Sequence, residues 1–450
     1  MKQRLPLCGN FIPFSRSPLH YVHSCYQKVR RGSPAAGRRR FAHMLSLLCQ
    51  YGSCFTLPIF HRKLTFVLGP GTHDIFFKAR DSEVNQQQVY NFMKPVFGAG
   101  VVYDAPVKMF QQQLRFMSRG LKSDALKTYV PKIVAEAQQY FGSSKFGKSG
   151  QFDLMPTISE LIIMTASSCL MGREVREHLH TQVADLYRLL DEGITPLSFF
   201  FPNAPIPQHL KRNKARKEMV ALFKRVVEQR RAKAAAATTE SADTDILRVF
   251  MDAKYRDGRG LTAEEIAGLM IALLFAGQHT STITTTWTLL LLLNHPEELE
   301  KVMQEQRELL GEDLSAPLDW DNINKMDRLH NAVKEAVRMY PPLIFLMRHV
   351  TKPLKVNNYT IPAGHTLVAS GALSMRLPEA FTNPDKFDPD RFGPGRREDD
   401  AKEYAWVGFG GGFHACTCVC AVQCVCLVVP FANRALWTVQ AWARTSHTCR

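Results

Sequence analysis

Phe409-Gly410-Gly411-Gly412-Phe413-His414-Ala415-Cys416 is the stretch on which the reading of this sequence turns. Consecutive glycines let a backbone approach a flat ligand closely, because no Cβ holds it off. A cysteine directly after such a loop can be kept as a thiolate, with backbone amides aimed at its sulfur. Taken alone, the segment reads equally well as a flexible glycine turn beside an incidental cysteine, since the residues that follow are rich in cysteine. The rest of the chain has to decide.

Three further features precede it in a fixed order. Asp388-Pro389-Asp390-Arg391-Phe392 is a charged loop whose arginine could join a buried network. Glu335-Ala-Val-Arg338 places a carboxylate and a guanidinium on one helix face, three residues apart. Alone it reads as a solvated ion pair. Ala276-Gly277-Gln278-His279-Thr280-Ser281 interrupts an apolar segment running from about Thr262 to Asn294. Thr262 with Glu265 makes a capping box at its start, and Pro296 follows its end. A long helix with a polar, glycine-containing centre is not a membrane span; it crosses a core and serves a site there. Gly277 weakens the helix locally, and Thr280 can bond back to a carbonyl one turn earlier. Such a distortion opens a groove for a diatomic molecule and water.

Elsewhere, 55–57 and 64–68 read as strands before a Gly69-Pro70-Gly71 turn. Segments 109–122, 124–141, 157–172, 176–192, 210–236, 296–310 and 327–340 read as helices, Phe199–Pro202 as an aromatic loop, and 344–369 as short strands and turns. The fold class expected is mainly α with small β-sheets, in one large domain.

Composition narrows the function. The net charge is +16, but eleven Lys or Arg precede the first acid, Asp74, and three Arg with no acid follow Cys416. The body between is nearly neutral and has no basic stripe with interleaved aromatics, so nucleic acid is not an expected partner. Cysteine is also concentrated at the ends: between residues 73 and 417 there are only Cys169 and Cys416. A body this poor in cysteine is not a disulfide scaffold. The one-residue spacings of Cys416, Cys418 and Cys420 do not match a zinc site. No apolar run of about 20 residues stands near the N-terminus to act as an anchor.

Together and in this order, Thr280, Glu335, Arg391 and Cys416 resemble the layout of the cytochrome P-450 superfamily. The stretch Tyr90-Asn-Phe92 to Phe97-Gly98-Ala-Gly100-Val-Val-Tyr103-Asp104, and Gly277-Gln278-His279-Thr280-Ser281, are similar to the two signatures of its sterol 14α-demethylase family. The resemblance covers roughly residues 51–416, with a fragment near 10–27. It implies the cytochrome P-450 fold and a haem-thiolate monooxygenase. The 14α-methyl group of a sterol would be removed by three oxidations, each using O2 and NADPH electrons delivered by NADPH–cytochrome P-450 reductase, at the endoplasmic reticulum membrane. Cys416 is implied as the ligand of the haem b iron, where a thiolate favours O–O cleavage. Tyr90, Tyr103, Arg348 and His414, with the Phe409-Gly410 loop, are implied to hold the haem. His279 and Thr280 are the implied proton-delivery pair. Phe92, Phe97, Phe275, Ala276, Leu343, Phe345 and Met347 would line the sterol pocket, and Glu335, Arg338 and Arg391 would be structural. An aromatic at Phe92 goes in this family with obtusifoliol rather than lanosterol.

Two segments depart from the family. Residues 28–50, in an atypical basic stretch spanning 1–50, are Arg/Ala-rich and read like translated non-coding sequence. After Cys416 the family places a glycine two residues on, then a helix and a closing hairpin; here Cys418 takes that place and 417–450 is rich in Cys and Val. The domain expected is therefore 51–416 with an incomplete C-terminal part. Three outcomes stay open: a working demethylase, a catalytically dead splice or gene-model variant, and a haem-free sterol-binding relative.

Overall fold

A computed structural model describes residues 19, 53–143, 152–236, 245–312, 316–357, 359–412 and 415–416. Contacts divide the chain into two compact units, one of residues 1–91 and 337–416, the other of 92–336 and 417–450. The expected segments 28–50 and 417–450, and His414, lie outside the described residues.

The first unit is built on a mixed five-stranded sheet. β1 (Cys54–Ile59) and β2 (Arg62–Val67) form a hairpin, β3 is Val84–Asn85, β4 is Leu346–Val350, and β7 (Thr366–Ala369) follows the small β5 (Leu354–Val356) and β6 (Tyr359–Ile361) pair. The sheet order is β1-β2-β7-β4-β3, with only β2 and β7 parallel. The register pairs Phe55 with Phe66, and their rings stack at 5.3 Å. Helix Pro70–Lys78 starts at Pro70, where proline's missing N–H costs nothing.

The second unit is helical. Its axis is the 32-residue helix Ala263–Asn294, which starts with the expected box: Glu265 N–H donates to Thr262 Oγ1, and Thr262 N–H to the Glu265 carboxylate. It packs on helices Leu154–Ala166 and Pro207–Ala236, and the latter packs on His180–Glu192. Apolar residues surround its first half, where Ile266, Leu269, Met270 and Leu273 are all buried. It and Leu154–Met171 are long and apolar enough to cross a membrane, but a helix buried on every side needs the same composition. At Gly268 a Cβ would lie 2.5 Å from the Phe97 carbonyl oxygen, so only glycine lets that backbone approach.

Local departures from the expected elements have physical causes. Phe199 and Phe200 are helical rather than loop, because Thr195 and Ser198 cap each other and Pro196 presets the first turn of Pro196–Phe200. The expected helix 176–192 is two helices, Arg173–His178 and His180–Glu192, broken where Leu179 leaves helical geometry at ψ −3°. The long helix continues unbroken through Gly277, and its distortion is confined to side-chain bonding.

Candidate active site

In the first unit, the loop before Cys416 is shaped by backbone contact. Gly410 and Gly412 have φ of 74° and 63°. A Cβ on Gly412 would collide with the Phe77 carbonyl, and one on Gly411 would lie 2.8 Å from the Tyr404 ring. Phe77 and Tyr404 themselves pack at 4.9 Å. His73, one turn earlier on the same helix, bonds the Tyr404 carbonyl at 3.1 Å and the Ser374 hydroxyl at 3.0 Å. Burial lowers its pKa to about 4, so its imidazole is neutral at physiological pH. Cys416 N–H then donates to the Phe409 carbonyl at 2.8 Å, closing the loop.

The three described cysteines differ in availability. Cys54 and Cys169 are buried and Cys416 is exposed. Burial pushes the Cys54 thiol up to about 12, which leaves it inert. No group of three or more His, Cys, Asp or Glu that could hold a metal occurs among the described residues. The exposed Cys416, at the end of a glycine loop packed on Phe77 and Tyr404, fits a metal taking a single protein thiolate, as thiolate-bound haem iron does.

The same unit brings Tyr90, Arg348, Phe345 and Met347 together. Tyr90 Oη accepts from Met347 N–H at 3.2 Å, and burial raises its pKa, partly opposed by the Arg348 charge. The Arg348 guanidinium is buried 5.3 Å above the Phe76 ring. Phe345 packs edge-on to Phe66 at 5.7 Å. Leu343 stands 55% exposed.

Arg338 and Arg391 are fully buried and share neighbours. Both donate to the Lys386 carbonyl, at 3.4 and 3.2 Å, and both lie over the Phe381 ring. Arg391 also pairs with Glu398 at 2.7 Å, a carboxylate that sequence spacing did not single out. Glu335, on helix Asp327–Met339 with Arg338, is also fully buried. These three are therefore not the solvated ion pair that the Glu335–Arg338 motif suggests alone.

In the second unit, Gln278, His279 and Thr280 take three different surroundings. Gln278 is buried and donates to the Ser159 carbonyl at 2.7 Å and its hydroxyl at 3.0 Å. His279 is exposed. Thr280 donates to the Ala276 carbonyl at 2.5 Å, the back-bond expected from its position. Asp191 lies in the field of His279; burial raises its carboxyl pKa and the histidine draws it back. Sequence reasoning missed Asp191 because it sits about 90 residues away on another helix.

Phe97 and Phe275 meet at 5.8 Å, and Tyr187, also unforeseen, packs at a tilt against Phe275 at 4.8 Å. Phe92 meets Phe199 at 5.7 Å, Tyr103 packs on Phe97 at 6.2 Å, and Ala276 is exposed. The loop between Phe97 and Asp104 is pinned by Gln113, which accepts from Val102 N–H at 2.7 Å and donates to the Gly100 carbonyl at 2.9 Å.

These arrangements agree with what comparison finds. One family model, Cytochrome P450, matches residues 19–417. The chain belongs to the cytochrome P450 family. Its cofactor is accordingly haem held by a cysteine thiolate. The chain is 39% identical to the obtusifoliol 14-alpha demethylase of Sorghum bicolor, covering 96% of this chain and 82% of that one. It is 35% identical to the lanosterol 14-alpha demethylase of Mus musculus, covering 92% and 76%. Among solved structures it resembles retinoic acid-bound cyanobacterial CYP120A1, with a TM-score of 0.75 and 22% identity over 86% of this chain and 84% of that one. That likeness establishes the mainly helical P450 fold with its small sheets.

Proposed function

We propose that this P450 is a sterol 14α-demethylase that acts on obtusifoliol in preference to lanosterol, drawing electrons from NADPH–cytochrome P-450 reductase. The observation that carries the reading is the exposed Cys416 at the end of a backbone-packed glycine loop, in a chain 39% identical to a plant obtusifoliol demethylase. Lower identity, 35%, to the mouse lanosterol enzyme and the aromatic Phe92 support the substrate preference.

The haem, when bound, supplies oxygen activation at its iron. The residues of this chain prepare the surroundings. Cys416 presents its sulfur, and the loop from Phe409 keeps it in place. By resemblance to the family, Arg348, Tyr90, Tyr103 and His414 would hold the haem carboxylates. Thr280 offers its hydroxyl while bonded to Ala276, and His279 supplies protons from the solvent side, with Asp191 as its charge partner. An imidazole suits that task because its ordinary pKa is near neutral. By the same resemblance, Phe92, Phe97, Phe275, Ala276, Leu343, Phe345 and Met347 would supply apolar contacts, as a sterol requires. Glu335, Arg338 and Arg391 hold the scaffold. The domain runs over 51–416, and the enzyme sits on the cytosolic face of the endoplasmic reticulum membrane.

The reduced, CO-bound difference spectrum tests this reading. The thiolate-type Soret band, followed by formate release from obtusifoliol with reductase and NADPH, is the expected result; sterol binding without that band would overturn it.

A further inference from the structure

Arg212 is a buried cation with no anion of its own. It stands on helix Pro207–Ala236 and is 1% exposed. Nε and Nη2 donate to the Asn213 amide oxygen at 3.1 and 3.0 Å, and Nη2 also donates to the Pro202 carbonyl at 3.1 Å. Nη1 is buried and meets no acceptor. Burial lowers the pKa of the group, and no carboxylate opposes that shift. An arginine stays charged even so, and a buried charge without a counter-charge is strongly unfavourable. The acids nearest along the chain are engaged elsewhere. A Cβ on Gly193 would lie 2.4 Å from Arg212 Cβ; of the two residues before that glycine, Glu192 pairs with Arg188 at 3.2 Å and Asp191 lies in the field of His279.

Arg216, one turn further along, repeats the pattern. Its Nη2 reaches the Phe97 carbonyl at 3.4 Å, and its Nε is buried with no acceptor. The acid whose charge it feels, Glu264, is bonded to Lys224 at 2.9 Å. Residues four apart share one helix face, so two guanidinium groups with unfilled donors stand one turn apart. The turn that carries Pro202 is itself held firmly: His209 bonds the Ser198 hydroxyl and the Ala204 carbonyl, each at 2.8 Å.

We propose that Arg212, with Arg216 one turn along, binds a phosphate-type oxyanion beside the turn at Pro202. Guanidinium N–H groups match the oxygens of such an anion. The anion is either free in solution or the headgroup of a lipid, whose chains would meet Phe201 and Leu210, 44% and 60% exposed next to Pro202 and Arg212. Neither haem nor sterol enters this chemistry.

The test is the melting temperature of the full chain with inorganic phosphate, against sodium chloride of equal ionic strength, and with phosphatidylcholine vesicles that contain or lack phosphatidic acid. The expected result is a saturable rise of about 2–4 °C with at least one phosphate probe and none with its control. A rise with inorganic phosphate assigns a free anion; a rise with phosphatidic acid alone assigns a lipid headgroup. Asn213→Asp puts a carboxylate on the two nitrogens that the amide now fills. It should melt at or above the native temperature without phosphate, and lose the rise. Arg212→Gln should lose it too. No saturable rise with either probe overturns the site. So does a rise of native size and midpoint in either variant.

Discussion

The loop before Cys416 and the centre of the long helix carry the two ends of the proposed chemistry, and they are held in opposite ways. The loop is set by backbone pressed against backbone and ring: Gly412 on Phe77, Gly411 on Tyr404, and Cys416 N–H on Phe409. The helix centre is a regular backbone whose side chains do the work: Gln278 anchors inward, Thr280 turns back on Ala276, and His279 stays exposed. A metal ligand needs a fixed position, and steric contact supplies one. A proton donor has to exchange partners, and a rotatable hydroxyl or imidazole allows that. Substitutions in the loop should therefore cost stability and haem together, while substitutions at the helix centre should cost turnover alone.

The sharpest way to break that contrast is Gly412→Ala. The new Cβ meets the Phe77 carbonyl of helix Pro70–Lys78 at a positive φ, so about 3 kcal/mol or more should be lost along with most of the haem. Equal haem content and melting temperature in this variant would refute the steric account.

The support behind the loop should also be acid-sensitive. The His73 pKa is lowered to about 4 in the folded protein, against 6.5 ordinarily. The folded state therefore favours the neutral imidazole. Its contribution is fully present above pH 6.5 and is lost as pH falls from there toward 4. The difference is worth about 3 kcal/mol at most. Urea midpoints measured across that range should fall less steeply in His73→Gln than in the native chain. Parallel slopes would remove His73 from the account.

At the helix centre, Thr280→Val should lower turnover about ten- to a hundredfold and divert electrons to peroxide, with the melting temperature nearly unchanged. A stability loss as large as that of Gly412→Ala would erase the distinction between the two regions. The smallest effect is expected at the far end of the same helix. Thr262→Ala removes one half of a capping box and should cost about 1 kcal/mol with no change in the haem spectrum.

Much of this is legible in the sequence. The capping box at Thr262 and Glu265, the Thr280 back-bond and the hairpin strands follow from local chemistry, and each occurs where spacing puts it. The order of Thr280, Glu335, Arg391 and Cys416 was enough to suggest the family. What stayed hidden depends on contacts distant in sequence. Asp191 near His279, Glu398 on Arg391 and Tyr187 on Phe275 carry no local signature that marks them among many similar residues. The aromatic segment Phe199–Pro202 reads as loop from its phenylalanine run and Pro202, whereas the Thr195–Ser198 cap makes Phe199 and Phe200 helical.

The contact at Gly268 has a consequence for how this protein can vary. At Gly268 the main chain of the long helix meets the Phe97 carbonyl directly, with the Val101 side chain beside it. A spacing of that kind cannot be retuned by exchanging one residue for another of different size. Divergence in what the proposed apolar surround accepts is thereby channelled to places such as Phe92 and Phe275, whose contacts with Phe199, Phe97 and Tyr187 are made by side chains that can be traded for smaller groups.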